Sequence, residues 1–259
     1  MAITLQRAKE ITSAFATKNI LVVGDIVLDT YIHGNVERLN PEAPVPILHA
    51  KKEKNATGGA GNTAKNAAML GAQVTCIGVV GDDKSADMVD HSAKSEGYIP
   101  MLVRDKSAQT IVKKRYVVGS QQLLRVDFEE IMDLSPEVEN QLIEAIKVHA
   151  ASADAIIVSD YAKGTITEKV AHVIMDAMRT HNIPLMADVK PSRISYFTGA
   201  TYISPNRKEA HEYLGINQHE NGGKKAHELA AMLSSSFDTT VFITLGGEGM
   251  YVQAKQAHG

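Results

Sequence analysis

Tryptophan is absent from this 259-residue chain, cysteine occurs once, and aromatic residues make up 5%. A single cysteine excludes an internal disulfide and a Cys-rich metal centre. It sits in the apolar run VTCIGVV, where Cys76 reads as a small buried hydrophobe and not as a nucleophile. No stretch approaches the roughly 20 consecutive apolar residues of a membrane span. The N-terminus, MAITLQRAKEITSAFATKN, is polar and helical in pattern, without the apolar centre of a secretion signal. Basic residues are not in excess: 27 Lys and Arg against 30 Asp and Glu give a net charge of −3, with no basic block, so there is no electrostatic footprint for nucleic acid. The 10 histidines show no H-E-x-x-H spacing. His211, His219 and His227 fall on a polar stretch and read as a solvated face. Internal repeats and low-complexity tracts are also missing. What remains is the composition of a globular protein of metabolic type, expected in the cytoplasm.

Apolar runs of strand length alternate with helical patterns. The runs are NILVVGD (19–25), QVTCIGVVG (73–81), DAIIVSD (154–160), IPLMAD (183–188), TYISPN (201–206) and TVFITLG (240–246). Between them lie GGAGNTAKNAAML, KSADMVDHSAKSEG, SPEVENQLIEAIKVHAA, TITEKVAHVIMDAMRTH and NRKEAHEYLG. Continuous apolar strands joined by helices predict an α/β fold, one domain over 1–259 with a mostly parallel sheet covered on both faces. Asp25, Asp160, Asp188 and Asn206 close four of the strands and should share the carboxyl edge, where open α/β sheets bind ligands. Two segments, about 30–54 and 101–128, are β-branched and alternating. They predict antiparallel strands that pair as a small lid over that edge.

The stretch TGGAGNTAKNAAMLGA, Thr57 to Ala72, fits the dinucleotide fingerprint G-x-G-x-x-G/A through Gly59, Gly61 and Ala64. A Rossmann glycine turn follows a buried strand, whereas HAKKEKNAT here is too charged for a central one; Asp82 or Asp83 would supply the later acid. Three readings stand: an NAD site, a glycine turn with no ligand, and a turn that lets a substrate approach the backbone where a helix begins near Asn62.

GGAGNTAKNAAMLGAQVTCIGVVGDD resembles the first signature of the ribokinase-like (PfkB) sugar kinases, VVGDIVLD their first strand, SPNRKE their N-x-x-E motif, and ITLGGEGMYV the strand and turn beside the nucleotide. The resemblance runs through essentially the whole chain in the family's order. RLNPEAPVPIL, SQQLLRVDFEE and VSDYAKG resemble more narrowly the heptose 7-phosphate kinases of lipopolysaccharide-core biosynthesis. The resemblance implies ATP-dependent phosphorylation of the C1 hydroxyl of D-glycero-D-manno-heptose 7-phosphate to the 1,7-bisphosphate, with ATP and Mg²⁺ as cofactors and a fused or separate adenylyltransferase as partner. Another ribokinase-like sugar or nucleoside kinase, and a non-catalytic sugar-phosphate-binding protein, are the alternatives. An exposed lid edge predicts a homodimer.

On this basis Asp29, Gly58, Gly59 and Asn62 are expected at the sugar hydroxyls. Asp29 is also readable as a turn residue, and Asn62 as a helix N-cap. A phosphorylated substrate calls for cations, and Lys113, Arg115, Arg125 and Lys163 are the candidates, with Gln122 as a neutral donor and Asp160 at the strand end. Alternation puts Lys113 and Arg115 on one strand face and Lys114 on the other. Lys190, Asn206, Arg207, Lys208, Glu209, Thr244 and Gly246 are expected at the nucleotide, with Asn206 and Glu209 near Mg²⁺, whose contact would run through water. Spacing alone allows those two to be simply a helix start with an acid in its first turn.

The family's second signature, D-T-x-G-A-G-D, which carries its anion hole and base, does not occur in these 259 residues. No catalytic residue is therefore assigned; the base Asp is expected beyond Gly259. The expectation is a truncated and catalytically impaired kinase whose sheet lacks covering helices and exposes apolar surface.

Overall fold

A computed structural model describes residues 3–131, 133–217 and 224–255. His219 lies outside them. Eight strands form the main sheet: β1 (Asn19–Gly24), β4 (Gln73–Gly81), β5 (Ile99–Asp105), β8 (Ala155–Ser159), β9 (Leu185–Asp188), β10 (Tyr202–Ile203), β11 (Thr240–Thr244) and β12 (Met250–Gln253). Their order is β12-β11-β10-β9-β8-β1-β4-β5, parallel except for the antiparallel β12. The helices are α1 (Leu5–Ala14), α2 (Ala60–Met69), α3 (Lys84–Ser95), α4 (Pro136–Ala150), α5 (Glu168–His181), α6 (Arg207–Tyr213) and α7 (Ala226–Phe237). Among the described residues no helix is long and apolar enough to cross a membrane.

Strand β1 shows why the sheet is covered on both sides. Leu21 and Val23 point into a core with residues of α4, α5 and α7, while Val22 points into a second core with Ala60, Ala64, Val89 and Cys76. Burial pushes the Cys76 thiol up to about 12, as suits a packing residue. The helices start where their sequences say they should. Ser135 caps α4, Pro136 opens it and Glu137 and Glu139 fill its first turn, with Lys147 and His149 in the last. Thr167 caps α5, and left-handed Asn182 ends it. Helix α7 falls in a stretch for which the periodicity reading above names no helix, although Leu229, Ala230 and Leu233 form a buried stripe. On β9 to β11, the face opposite the α5 and α7 core carries Met186, Tyr202 and Phe242, all half-buried.

The second sheet has the order β3-β2-β6-β7, formed by β2 (Ile26–Leu39), β3 (Pro46–Gly59), β6 (Val112–Val118) and β7 (Gln121–Phe128). The reading of 101–128 as wholly part of this sheet needs correction. Met101–Asp105 belongs to β5, paired parallel to β4 at the edge of the main sheet. Its alternation comes from having one solvent-facing side, which mimics a hairpin strand. The pairing is also not antiparallel throughout, because β2 and β6 run parallel.

Candidate active site

Strands β1, β8 and β9 deliver Asp25, Asp160 and Asp188 to the carboxyl edge in adjacent registers, and Asn206 follows β10 there. The small sheet rises beside this edge because β2 begins one residue after Asp25 and β3 ends at the glycine turn that starts α2.

Gly58 pairs with Val27 across β2 and β3, and Gly59 with Ile26. A Cβ on Gly58 would lie 2.6 Å from the Asp29 carboxylate. Gly59 has φ +60, and a Cβ there would meet the Asp25 carbonyl at 2.2 Å. Gly59 is the N-cap of α2, which moves Asn62 to the third helical position, where it is exposed. Asn62 is therefore not the cap, and its side chain is left to the solvent side of the turn. Of the two acids an NAD site would have used, Asp82 lies 3.6 Å from Arg104 at the surface and Asp83 is the N-cap of α3. Asp83 accepts from the Ala86 and Thr110 backbones and the Thr110 hydroxyl. Its carboxylate is committed to structure, and the glycine turn follows a strand of the small sheet, so the dinucleotide geometry is absent.

Parallel pairing of β2 with β6 sets Asp29 opposite Lys113 and Tyr31 opposite Arg115. Arg115 Nη1 donates to Asp29 Oδ1 at 2.5 Å, and its guanidinium lies 5.3 Å from the centre of the Tyr31 ring. Lys113 Nζ donates to Asp127 Oδ2 at 2.8 Å and to Glu129 Oε2 at 3.2 Å, and Lys163 Nζ reaches the other Glu129 oxygen at 2.8 Å. Arg125 Nε donates to Asp127 Oδ1. Lys114, on the other face, stands over the Phe128 ring, as alternation requires. Gln122 is exposed near the far end of β7. Asp127 and Glu129 are the residues that sequence reading missed. Their signal was the spacing in VDFEE, which places two acids on the same strand face as Lys113. Their carboxyls are held below the usual range by the ammoniums they accept from, Lys113 first for Asp127 and Lys163 first for Glu129.

Asp160 departs from the expected contact with substrate. Its side chain is fully buried; Oδ1 accepts from Ala162 N at 2.8 Å, and Oδ2 makes no hydrogen bond, with Arg193 Nε 3.7 Å away. Burial, then the charge of Asp25, pushes its carboxyl up to about 6.

At the other end of the edge, Asn206 and Glu209 form a capping box. Asn206 Oδ1 accepts from Glu209 N at 2.9 Å, and Glu209 Oε2 from Asn206 N at 3.1 Å. Glu209 Oε1 also accepts from Lys190 Nζ at 2.8 Å, and Lys190 lies 5.6 Å from the Tyr161 ring centre. Arg207 pairs with Glu248, and Lys208 with Glu212 along the helix. Thr244 ends β11 in a bridge to Asn206, and Gly246, with φ +60, opens the exposed turn that follows. His211 is buried, its Nδ1 against Arg207 O, because α6 turns that side inward; the solvated-face reading holds for His227 and not for His211.

Comparison with known proteins bears on this arrangement. The family described as pfkB family carbohydrate kinase matches residues 17–259. The bifunctional protein HldE of Caulobacter vibrioides is 41% identical over 238 residues, covering 92% of this chain and 49% of that protein. The D-beta-D-heptose 7-phosphate kinase of Bordetella bronchiseptica is 40% identical over 200 residues, 77% of this chain and 63% of that one. The chain thus spans about half to two thirds of the curated relatives it matches. Among solved structures, phosphofructokinase-2 from Escherichia coli with fructose-6-phosphate superposes with a TM-score of 0.74 at 17% identity, covering 93% of this chain and 78% of that one. The sheet order, the glycine turn and the matched span agree: the chain belongs to the pfkB family of carbohydrate kinases.

Proposed function

We propose that the chain forms the sugar-phosphate and nucleotide sites of a kinase that transfers phosphate from ATP to the C1 hydroxyl of D-glycero-D-manno-heptose 7-phosphate, in the cytoplasm. The observation that carries this is the convergence of Lys113, Arg115 and Lys163 beside Asp29 and the glycine turn. Asp29 supplies an acceptor for sugar hydroxyls, and Gly58 leaves its second oxygen accessible from the turn. The ammoniums supply charge for the 7-phosphate, Asp127 and Glu129 holding them in place until it arrives. The two relatives above, one named for heptose 7-phosphate, support the choice of sugar.

The small sheet acts as the lid over this pocket. Asn206 and Glu209 fit a hard divalent cation held through water, since their oxygens are engaged in the capping box and a hydrated Mg²⁺ accepts such indirect contact. That ion would neutralise phosphate charge during transfer; Lys190 adds a cation at the same edge. A second copy of the chain, through the small sheet, and an adenylyltransferase are the expected partners.

Calorimetric titration of the chain with heptose 7-phosphate, with and without ATP and Mg²⁺, tests the reading. Saturable binding that weakens for the unphosphorylated heptose is expected. A folded sample that binds neither sugar would overturn it.

A further inference from the structure

The Asp25 carboxylate has no role in the chemistry just proposed, yet the residue is 1% exposed and both its carboxylate oxygens accept from backbone amides. Its Oδ2 accepts from the backbone N–H of Tyr161 at 2.7 Å and of Lys163 at 3.0 Å, and its Oδ1 from that of Thr165 at 3.1 Å. These are alternate residues of the loop after β8. Their amides converge because the residues between them, Ala162 at φ 57 and Gly164 at φ 113, turn left-handed. In an extended loop these alternate amides would face one side but stand about 6–7 Å apart, too far to share one carboxylate. A chain that alternates handedness wraps them around a single anion, forming a nest. The intervening Ala162 amide goes to Asp160. For alanine, the left-handed conformation is unfavourable and persists only where its surroundings impose it.

The backbone of the same residue holds the opposite wall. Asp25 O accepts from Ala60 N at 2.8 Å, fixing the start of α2, and Asp25 N donates to Ser159 O. The glycine turn and the Lys163 loop are therefore both registered on Asp25.

We propose that Asp25 is a positioning residue. Its buried carboxylate is the internal anion around which the 161–165 loop folds, and this places the Lys163 ammonium where it meets Glu129 and Lys113 and receives the phosphate of the substrate. The assignment of that phosphate rests on the proposed function. The carboxylate itself touches no ligand.

The test is a double-mutant cycle read by calorimetry on the full chain. Asp25→Asn keeps the shape but removes the charge that gathers three amides. Asp25→Asn and Lys163→Met should each weaken heptose 7-phosphate binding by roughly tenfold or more, on the scale of a charge-assisted hydrogen bond. The two together should weaken it little beyond either alone, and ATP affinity should be unchanged in all three. Amide exchange at Tyr161, Lys163 and Thr165 should quicken in Asp25→Asn. Additive losses would overturn the positioning of Lys163 while leaving the functional reading in place. An unchanged affinity in Lys163→Met would likewise overturn this proposal, whereas failure of the folded wild type to bind heptose 7-phosphate would overturn the functional reading. If Asp25→Asn does not fold, Ala162→Val strains the same turn without altering the buried carboxylate and enters the cycle in its place, with the same outcomes.

Discussion

Arg115 and Asp29 meet across the central strands of the small sheet, Nη1 to Oδ1 at 2.5 Å, with side-chain exposures of 19% and 18%. The pair is enclosed enough that removing one partner leaves the other poorly solvated. Arg115→Ala should destabilise the chain by about 1–3 kcal/mol. Asp29→Asn should recover part of that loss when added to it, because an uncharged amide tolerates the missing guanidinium. Urea unfolding of the two single variants and the double variant measures the coupling; strictly additive losses would show that the pair is not interacting.

Glu129 occupies the position between Lys113 and Lys163 that an anionic ligand would take. Glu129→Gln should therefore bind inorganic phosphate several-fold more tightly, roughly three- to tenfold at low salt, with the gain shrinking as salt screens the lysines. Phosphate titration at two ionic strengths checks this. An unchanged affinity would mean the carboxylate does not compete.

Asp160 predicts a pH dependence. Its carboxyl lies above the ordinary value of 3.8, at about 6. Between those values the folded chain binds the proton and the unfolded chain does not. The stabilising contribution is full below about pH 4 and is lost as the pH rises through about 6. Asp160→Asn should match the wild type in acid and exceed its stability at pH 7.5 by about 1–3 kcal/mol. Denaturation at pH 4.5 and 7.5 distinguishes this from a pH-independent packing effect.

The capping box separates structural from ligand roles in α6. Asn206→Ala should cost about 1 kcal/mol of stability, whereas Asn206→Asp should retain the cap. Glu209→Gln should leave stability nearly unchanged but weaken Mg²⁺-dependent ATP binding, measured by calorimetry with and without the metal. Equal ATP binding in wild type and Glu209→Gln would leave Glu209 with its structural contacts alone, the cap and the Lys190 pair.

Much of this was legible in the chain. Runs such as NILVVGD and QVTCIGVVG are apolar on both faces, as a parallel strand covered on both sides requires, and they became β1 and β4. The acids that close them reached one edge for the same reason. Alternation sorted Lys113 and Arg115 from Lys114, since a strand has only two faces. Local chemistry also announced the capping box, as N-x-x-E at a helix start.

Other features needed the third dimension. Whether Met101–Asp105 joined the large or the small sheet depended on which edge was free, and an edge strand has the same alternation in either. The acid partners of Lys113 and Lys163 became visible only once β6, β7 and the loop after β8 came together. Asp25 and Asp29 are acids four residues apart, one just after β1 and the other near the start of β2. One is buried among backbone amides 136 to 140 residues away, while the other stays at the pocket beside its guanidinium partner. Periodicity and caps are local, set by sterics and hydrogen bonds within a few residues, so the sequence alone determined most of the strands, the starts of helices such as α4 and α6, and the family. The ionic partner of a charged side chain is set by contacts between distant segments, and only the tertiary structure decided it.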